Sequence, residues 1–259
     1  MTQLLVDSHC HIPMIDAEIN DLLGRASELG VGHMLCVAVD LETYPDVLQL
    51  AKTHAYIFAS VGVHPNQHVE HEPGIDVLVE LASDPDVVAI GETGLDYYRS
   101  SGDLAWQRDR FRTHIKAARE INKPIIIHSR EARGDMIKIM REEGADQVAG
   151  VMHCFVDDWQ TARAAMDLGF YISFSGIVTF KNAKEVQDVA QKIPLERLLV
   201  ETDSPYLAPM PYRGKMNQPG YVHYVAKFLS DLRGESFEKL AEATTNNFFT
   251  LFKDAKKII

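Results

Sequence analysis

The chain has 259 residues, 46% of them hydrophobic, with 26 Lys and Arg against 37 Asp and Glu for a formal net charge of −11. That composition excludes a disordered or fibrous chain, and a chain of this length buries enough surface to fold without disulfides or oligomerisation. The acidic balance disfavours a protein that grips duplex nucleic acid through a basic face, so a phosphate-directed site must carry its positive charge locally.

Hydrophobic periodicity predicts a regular alternation of short β-branched runs and longer amphipathic segments. A strand from Leu4 to His11 precedes a helix from Ala17 to Leu29, and His33 to Val39 precedes Tyr44 to Thr53. Tyr56 to His64 is followed by Ile75 to Ala82, Val87 to Leu95 by Leu104 to Ile121, and Pro124 to His128 by Arg133 to Glu142. Val148 to Phe155, Phe170 to Ile177 and Leu198 to Asp203 complete eight strands, with helices at Asp158 to Leu168 and Ala183 to Gln191 between them. A Pro-rich loop from Ser204 to Pro219 then leads to two helices, Tyr221 to Leu232 and Ser236 to Phe252.

Eight strand–helix repeats in this length predict an α/β chain folded as a single (β/α)8 barrel of TIM type, one domain over residues 1–259, with C-terminal helices. A doubly wound open sheet is the runner-up. Its dinucleotide fingerprint is missing, because the first turn reads Val6-Asp7-Ser8-His9-Cys10-His11 and contains no G-x-G-x-x-G. No run approaches the roughly 18 apolar residues of a membrane helix, and Met1 to His11 shows no basic segment ahead of an apolar one. Cys10, Cys36 and Cys154 are odd in number and far apart, which predicts reduced thiols and a cytoplasmic protein.

Several of the predicted strands end in an ionisable residue, and barrel strand ends form the active face. His9 and His11 are two residues apart and leave one face of the first strand, with Asp7 behind them and Cys10 turned away. Strand four ends with Glu92, strand five with His128, strand six with His153, and strand eight with Glu201 and Asp203. Any one of these alone reads as a capped or solvated residue. Four histidines and two carboxylates on one rim are costly to bury without a cation, so His9, His11, Glu92, His128, His153 and Asp203 are the candidate metal ligands. Imidazole with carboxylate suits Zn, Mn, Fe, Co or Ni more than Ca, and six ligands exceed what one ion needs if water must also bind. Two ions about 3.5–4 Å apart, bridged by a carboxylate, would use them all. By the same period of two, Cys10 and Cys154 are expected to point away and pack in the core.

These residues sit in blocks that resemble the TatD family of metal-dependent deoxyribonucleases, within the amidohydrolase-like superfamily. The blocks are Asp7-Ser8-His9-Cys10-His11, Gly62-Val63-His64-Pro65, Ile90 to Tyr97, Pro124 to Arg130, His153-Cys154-Phe155, Glu201 to Pro209 and Arg213-Gly214-Lys215. The H-x-H alone is weak, but seven blocks in this order are highly specific. The resemblance implies that His9, His11 and Asp203 hold one ion, that His128 and His153 hold a second, that Glu92 bridges, and that His64 contacts the substrate phosphate. From spacing alone His64 reads equally well as a capping histidine in a turn. The chain departs from the family after strand eight, where R-G-K-x-N-E-P-A-Y-V becomes Arg213-Gly214-Lys215-Met216-Asn217-Gln218-Pro219-Gly220-Tyr221-Val222. Gln218 replaces a carboxylate and Gly220 is expected to loosen the helix start, which together predict a less ordered loop.

The expected chemistry is phosphodiester hydrolysis of DNA by a water activated between two divalent ions, Mg, Mn or Zn, with Asp203 as general base and Glu92 as bridging catalytic carboxylate. Glu201 is expected to orient a ligand histidine. Arg130 and Arg213, with Lys215, are the candidate phosphate contacts, and Tyr97, Tyr98, Tyr206 and Tyr212 the candidate stacking rings. So few cations and rings fit a DNA or oligonucleotide end better than a long footprint, with a monomer acting away from membranes; the resemblance implies 3′ to 5′ exonuclease action. The alternatives are hydrolysis of carboxylic esters or amides, such as D-aminoacyl-tRNA or lactones, by the same centre, and a metal-dependent binding protein without turnover.

Overall fold

The computed structural model describes residues 5–258. Leu4, where the first predicted strand begins, and Met1 to Gln3, read for a leader, lie outside the described residues, as does Ile259.

Eight strands run parallel and are hydrogen-bonded in sequence order: β1 (Leu5–Cys10), β2 (Val31–Cys36), β3 (Ile57–Val61), β4 (Val87–Asp96), β5 (Ile125–Arg130), β6 (Gly150–Met152), β7 (Tyr171–Phe174) and β8 (Leu198–Val200). The helices α1 (Ile19–Glu28), α2 (Tyr44–Thr53), α3 (Ile75–Ala82), α4 (Ala105–Ile121), α5 (Arg133–Glu142), α6 (Trp159–Met166) and α7 (Lys184–Lys192) return the chain between them. α8 (Val222–Arg233) and α9 (Phe237–Leu251) follow the last strand. Two of the helix starts are set by capping, since Asp158 accepts from Thr161 N at 2.8 Å and Ser236 from Lys239 N at 3.2 Å.

Alternation along the strands sorts the apolar side chains into two layers. Val6, Leu35, Phe58, Val88, Ile126, Val151, Tyr171 and Leu199, one from each strand, form a cluster joined by Phe248, Leu251 and Phe252 at the end of α9. A cluster fed by all eight strands and by none of the helices that return between them is the barrel interior, and α9 closes its lower mouth. Leu5, Met34, Ile57, Ile90, Ile125 and Ile172 face the opposite way and pack against the surrounding helices.

The seam between β1 and β8 is where the barrel closes, and among the described residues backbone pairing there comes near the strand ends. Cys10 and Ser204 form a parallel bridge, with Asp203 N donating to His9 O at 2.9 Å and His11 N to Ser204 O at 2.8 Å. Further back the carboxylate of Asp7 serves in place of the ladder, accepting from Thr202 N at 2.8 Å and from Thr202 Oγ1 at 2.6 Å. Asp7 is therefore a seam residue. The register of β1 against β2 also shifts between Asp7 and Cys10, a bulge that re-aims the end of the strand. Among the described residues no helix is long and apolar enough to cross a membrane.

Candidate metal centre

Six strands deliver ionisable side chains to the upper end of the barrel. His9 and His11 come from the end of β1, Glu92 from β4, His128 from β5, and His153 from just past β6. Asp203 follows β8 by three residues and takes a left-handed backbone, φ 57°, which turns the chain out of the strand after Val200. His64, three residues beyond β3, joins them. The close approach of β4 to its neighbours depends on glycine: a Cβ on Gly94, at φ 142°, would collide with the carbonyl oxygen of His128. One on Gly62 would lie 2.6 Å from Gly91 Cα. These glycines let β3, β4 and β5 bring His64, Glu92 and His128 together.

The donor atoms form two groups that share Glu92. In the first, His9 Nε2 and His11 Nε2 are 3.2 Å apart; Glu92 Oε2 lies 3.3 Å from His9 Nε2, and Asp203 Oδ1 3.4 Å from His11 Nε2. In the second, Glu92 Oε1 is 3.0 Å from His128 Nδ1 and 2.7 Å from His153 Nε2. His9, His11, Glu92 and His153 are at most 5% exposed. The sequence-predicted ligands thus meet as one site.

Hydrogen bonds on the far side of three rings fix which nitrogen faces inward. His11 Nδ1 is 2.9 Å from Val37 O, an obligate acceptor, so Nδ1 carries the proton and Nε2 presents a lone pair. Glu201 Oε1 accepts from His153 Nδ1 at 3.1 Å and from Cys154 N at 2.7 Å, which leaves His153 Nε2 as the inward donor atom. Asp96 Oδ2 accepts from His128 Nε2 at 3.3 Å and leaves Nδ1 facing Glu92. With the three rings neutral, imidazole lone pairs and carboxylate oxygens converge, the arrangement that a divalent cation satisfies. Without a cation, protons are drawn to the same place. Burial pulls the pKa values of His11, His128 and His153 down, but the surrounding carboxylates outweigh it and hold all three above the ordinary imidazole value. Burial raises Glu92 and Asp203, and the imidazoles around them bring both below the usual carboxylate range.

His64 differs. Its Nδ1 accepts from Asn66 N at 3.0 Å, so Nε2 carries the proton and points a donor, not a lone pair, toward Glu92 Oε1 at 3.5 Å. Burial lowers its pKa to about 3, which keeps the ring neutral. Proximity alone would group His64 with Glu92 and His128 as ligands, but its tautomer makes it a hydrogen-bond donor into the cavity.

The cavity above these groups has a volume of 610 Å³ and is lined by Arg130, Arg99, Tyr206, Met14, Val156 and Ile177 among others. Arg130 is on its wall, with the guanidinium 4.1 Å above the ring of Tyr98. Arg213 is not brought in: it is exposed, and its guanidinium stacks 4.2 Å over Phe180. Lys215 is likewise exposed, with Nζ 5.9 Å from the centroid of Tyr212. Tyr98 and Tyr206 are 59% and 56% exposed; Tyr206 lines the cavity, and one face of Tyr98 carries the Arg130 guanidinium. Tyr97 is tied to Asp135 at 2.7 Å, and Tyr212 is stacked on Tyr221 at 4.3 Å, so packing occupies both. Cys10 packs outward in the core as expected. Cys154 does not: its left-handed φ of 43° breaks the alternation and places it on the cavity wall, with Sγ 3.1 Å from Ser175 Oγ.

The loop after β8 makes specific contacts at and beside its two departures. Asn217, fully buried, donates to Thr202 O at 2.9 Å and Tyr206 O at 2.6 Å, while Gln218 accepts from Arg25 Nε at 2.7 Å. Gly220 does not loosen the helix start, because a Cβ there would lie 3.1 Å from Ala26 Cα; the missing methyl lets the turn pack closely on α1. Sequence reasoning missed Asp96, whose position as the buried last residue of β4, four beyond Glu92, was the available signal.

Comparison with known proteins points the same way. A family model described as TatD related DNase matches residues 6–253. The uncharacterized metal-dependent hydrolase YcfH of Escherichia coli strain K12 is 47% identical, with 98% of each chain covered. Its counterpart YabD of Bacillus subtilis strain 168 is 40% identical, over 96% of this chain and 99% of that one. The crystal structure of YjjV, a TatD homolog from Escherichia coli K12, is similar at a TM-score of 0.88 and 31% identity, covering 98% of this chain and 99% of that one. An organophosphorus hydrolase mutant at 14% identity and TM-score 0.68 shares the barrel fold alone. With its eight-stranded barrel and its His and Glu clusters at the strand ends, the chain belongs to the TatD-related DNase family of metal-dependent hydrolases.

Proposed function

We propose that the protein hydrolyses phosphodiester bonds at DNA ends as a two-cation exonuclease working from the 3′ terminus. The observation that carries this reading is the division of Glu92, one oxygen toward His9 and His11 and the other toward His128 and His153. His9, His11 and Asp203 would hold one divalent ion, His128 and His153 the other, with Glu92 between them. Such ions supply a water that ionises near neutral pH and positive charge for the phosphate oxygens.

The chain's own residues account for the rest. Asp203 directs Oδ1 toward His11 and its side chain remains 14% exposed at the cavity, where it can take the proton of the attacking water. Its depressed pKa makes it a weak base that passes the proton quickly to solvent. The Nε2–H of His64 is aimed at a phosphate oxygen, and Arg130 on the wall meets a neighbouring phosphate. The exposed ring of Tyr206 on the cavity wall, and that of Tyr98 on the side away from Arg130, suit the bases next to the reacting bond.

The test is digestion of a 5′-labelled oligonucleotide by chelator-stripped protein resupplied with Mg²⁺, Mn²⁺ or Zn²⁺. The expected result is stepwise shortening from the 3′ end, abolished by chelation and by His153→Ala. An intact oligonucleotide together with turnover of lactone or aminoacyl ester substrates would overturn it.

A further inference from the structure

Helix α4 carries three buried polar side chains where a barrel helix ordinarily turns apolar ones inward. Gln107, Arg110 and His114 are 0%, 3% and 0% exposed, and their spacing of three and four residues puts them on one face. Each grips the segment after β3 that carries His64. His114 Nε2 accepts from Val63 N at 3.0 Å, with Nδ1 donating to Arg110 O at 2.8 Å. Arg110 Nη1 donates to His64 O at 2.8 Å and to Gln67 O at 2.9 Å, while Nε and Nη2 make a bidentate pair with Glu72 at 2.7 and 2.6 Å. Gln107 Nε2 donates to Pro65 O at 3.1 Å, and its Oε1 accepts from Asp96 N at 3.1 Å.

Simple fold stability does not call for this arrangement. Burying a guanidinium and an amide costs several kcal/mol unless every donor is matched, and apolar residues of similar volume would fill the space at less cost. The shared target of the three side chains is the 63–67 backbone, which places the amide of Asn66 against His64 Nδ1, its one polar contact among the described residues. Asn66 also donates to Asp96 Oδ2 at 2.7 Å, the same oxygen that accepts from His128 Nε2.

We propose that Gln107, Arg110 and His114 are positioning residues that clamp the 63–67 segment so that His64 holds a single tautomer with Nε2–H directed into the cavity. The kinetic consequence rests on the phosphodiesterase reading; the tautomer consequence does not. Arg110→Lys keeps the charge but cannot span two carbonyls and both oxygens of Glu72.

The experiment uses the full-length zinc-loaded protein. Long-range ¹H–¹⁵N spectra should show His64 as one Nε2–H tautomer in the wild type and as a mixed or exchange-broadened ring in Arg110→Lys. In oligonucleotide hydrolysis Arg110→Lys should lower kcat at least tenfold in the wild-type background and less than twofold in a His64→Ala background, with zinc stoichiometry unchanged. An unaltered His64 spectrum, or equal losses in both backgrounds, would overturn the proposal. If Arg110→Lys does not fold, Glu72→Gln, which loosens the same clamp from its exposed side, is measured in the same way. If the wild type leaves oligonucleotides intact, the phosphodiesterase reading fails while the spectra still decide the clamp.

Discussion

Glu201→Gln isolates the contribution of a single buried charge to the centre. Glu201 is fully buried, and its Oε1 alone accepts both of its hydrogen bonds, from His153 Nδ1 at 3.1 Å and Cys154 N at 2.7 Å. Oε2 has no hydrogen-bond partner among the described residues. A glutamine can therefore keep both contacts through its own Oε1 and put its amide nitrogen where Oε2 stood, so geometry is preserved and charge is lost. A carboxylate behind a ligand imidazole raises the basicity of the ring, and removing such partners costs about 10- to 100-fold in metal affinity, roughly 1.4–2.7 kcal/mol. Competition of the stripped protein against a chromophoric chelator for Mn²⁺ or Zn²⁺ should resolve two classes of site. The variant should weaken the class built on His128 and His153 by that factor and leave the class built on His9, His11 and Asp203 within about threefold. Equal weakening of both classes, or of neither, would refute the reasoning.

Three further outcomes follow from the same geometry. In metal-free protein the raised pKa values of His11, His128 and His153 stabilise the fold below the ordinary imidazole pKa of about 6.5, and that stability is lost as pH rises through the raised values. Burial lowers His9, His33, His64 and His114, whose opposite effect is complete once the unfolded chain has lost its imidazole protons, so above about pH 7 the Tm of chelated protein should fall while that of metal-loaded protein holds or rises; parallel curves would contradict this. His64→Gln should keep full metal stoichiometry by elemental analysis yet lose about 10²-fold in kcat, whereas loss of bound metal would make His64 a ligand after all. Asn217→Ala leaves the carbonyls of Thr202 and Tyr206 without their partner, a cost of about 1–3 kcal/mol, so calorimetry should show a Tm lower by roughly 2–10 °C.

Much of the architecture can be read from period and punctuation because strand and helix boundaries here coincide with local chemistry. The helices Tyr44–Thr53, Ile75–Ala82 and Arg133–Glu142 match the predicted bounds, flanked by Pro, Gly and strand-forming runs. The misses fall where tertiary contacts replace the local rule. The eighth strand stops at Val200 because Thr202 N is taken by the Asp7 carboxylate and Asp203 turns left-handed. The sixth is only Gly150–Met152, bracketed by Ala149 and Cys154, both at positive φ. The proposed ligands were legible only as a set, because one ionisable residue ending an apolar run reads as capped or solvated, whereas six converging on one rim are costly to bury without a cation. Asp96 and the polar face of α4 were not, since their partners lie 32 residues away at His128 and 46 away at the backbone of His64, separations that periodicity does not report. The position of Arg213 on Phe180 likewise depends on a loop packing that strand spacing leaves open.

If Glu92 divides its oxygens between two cations, crystals soaked in Mn²⁺ and measured at a wavelength with strong manganese anomalous scattering will show two peaks flanking it, one among His9 Nε2, His11 Nε2 and Asp203 Oδ1, the other between His128 Nδ1 and His153 Nε2. A single peak, or peaks away from these atoms, would contradict it.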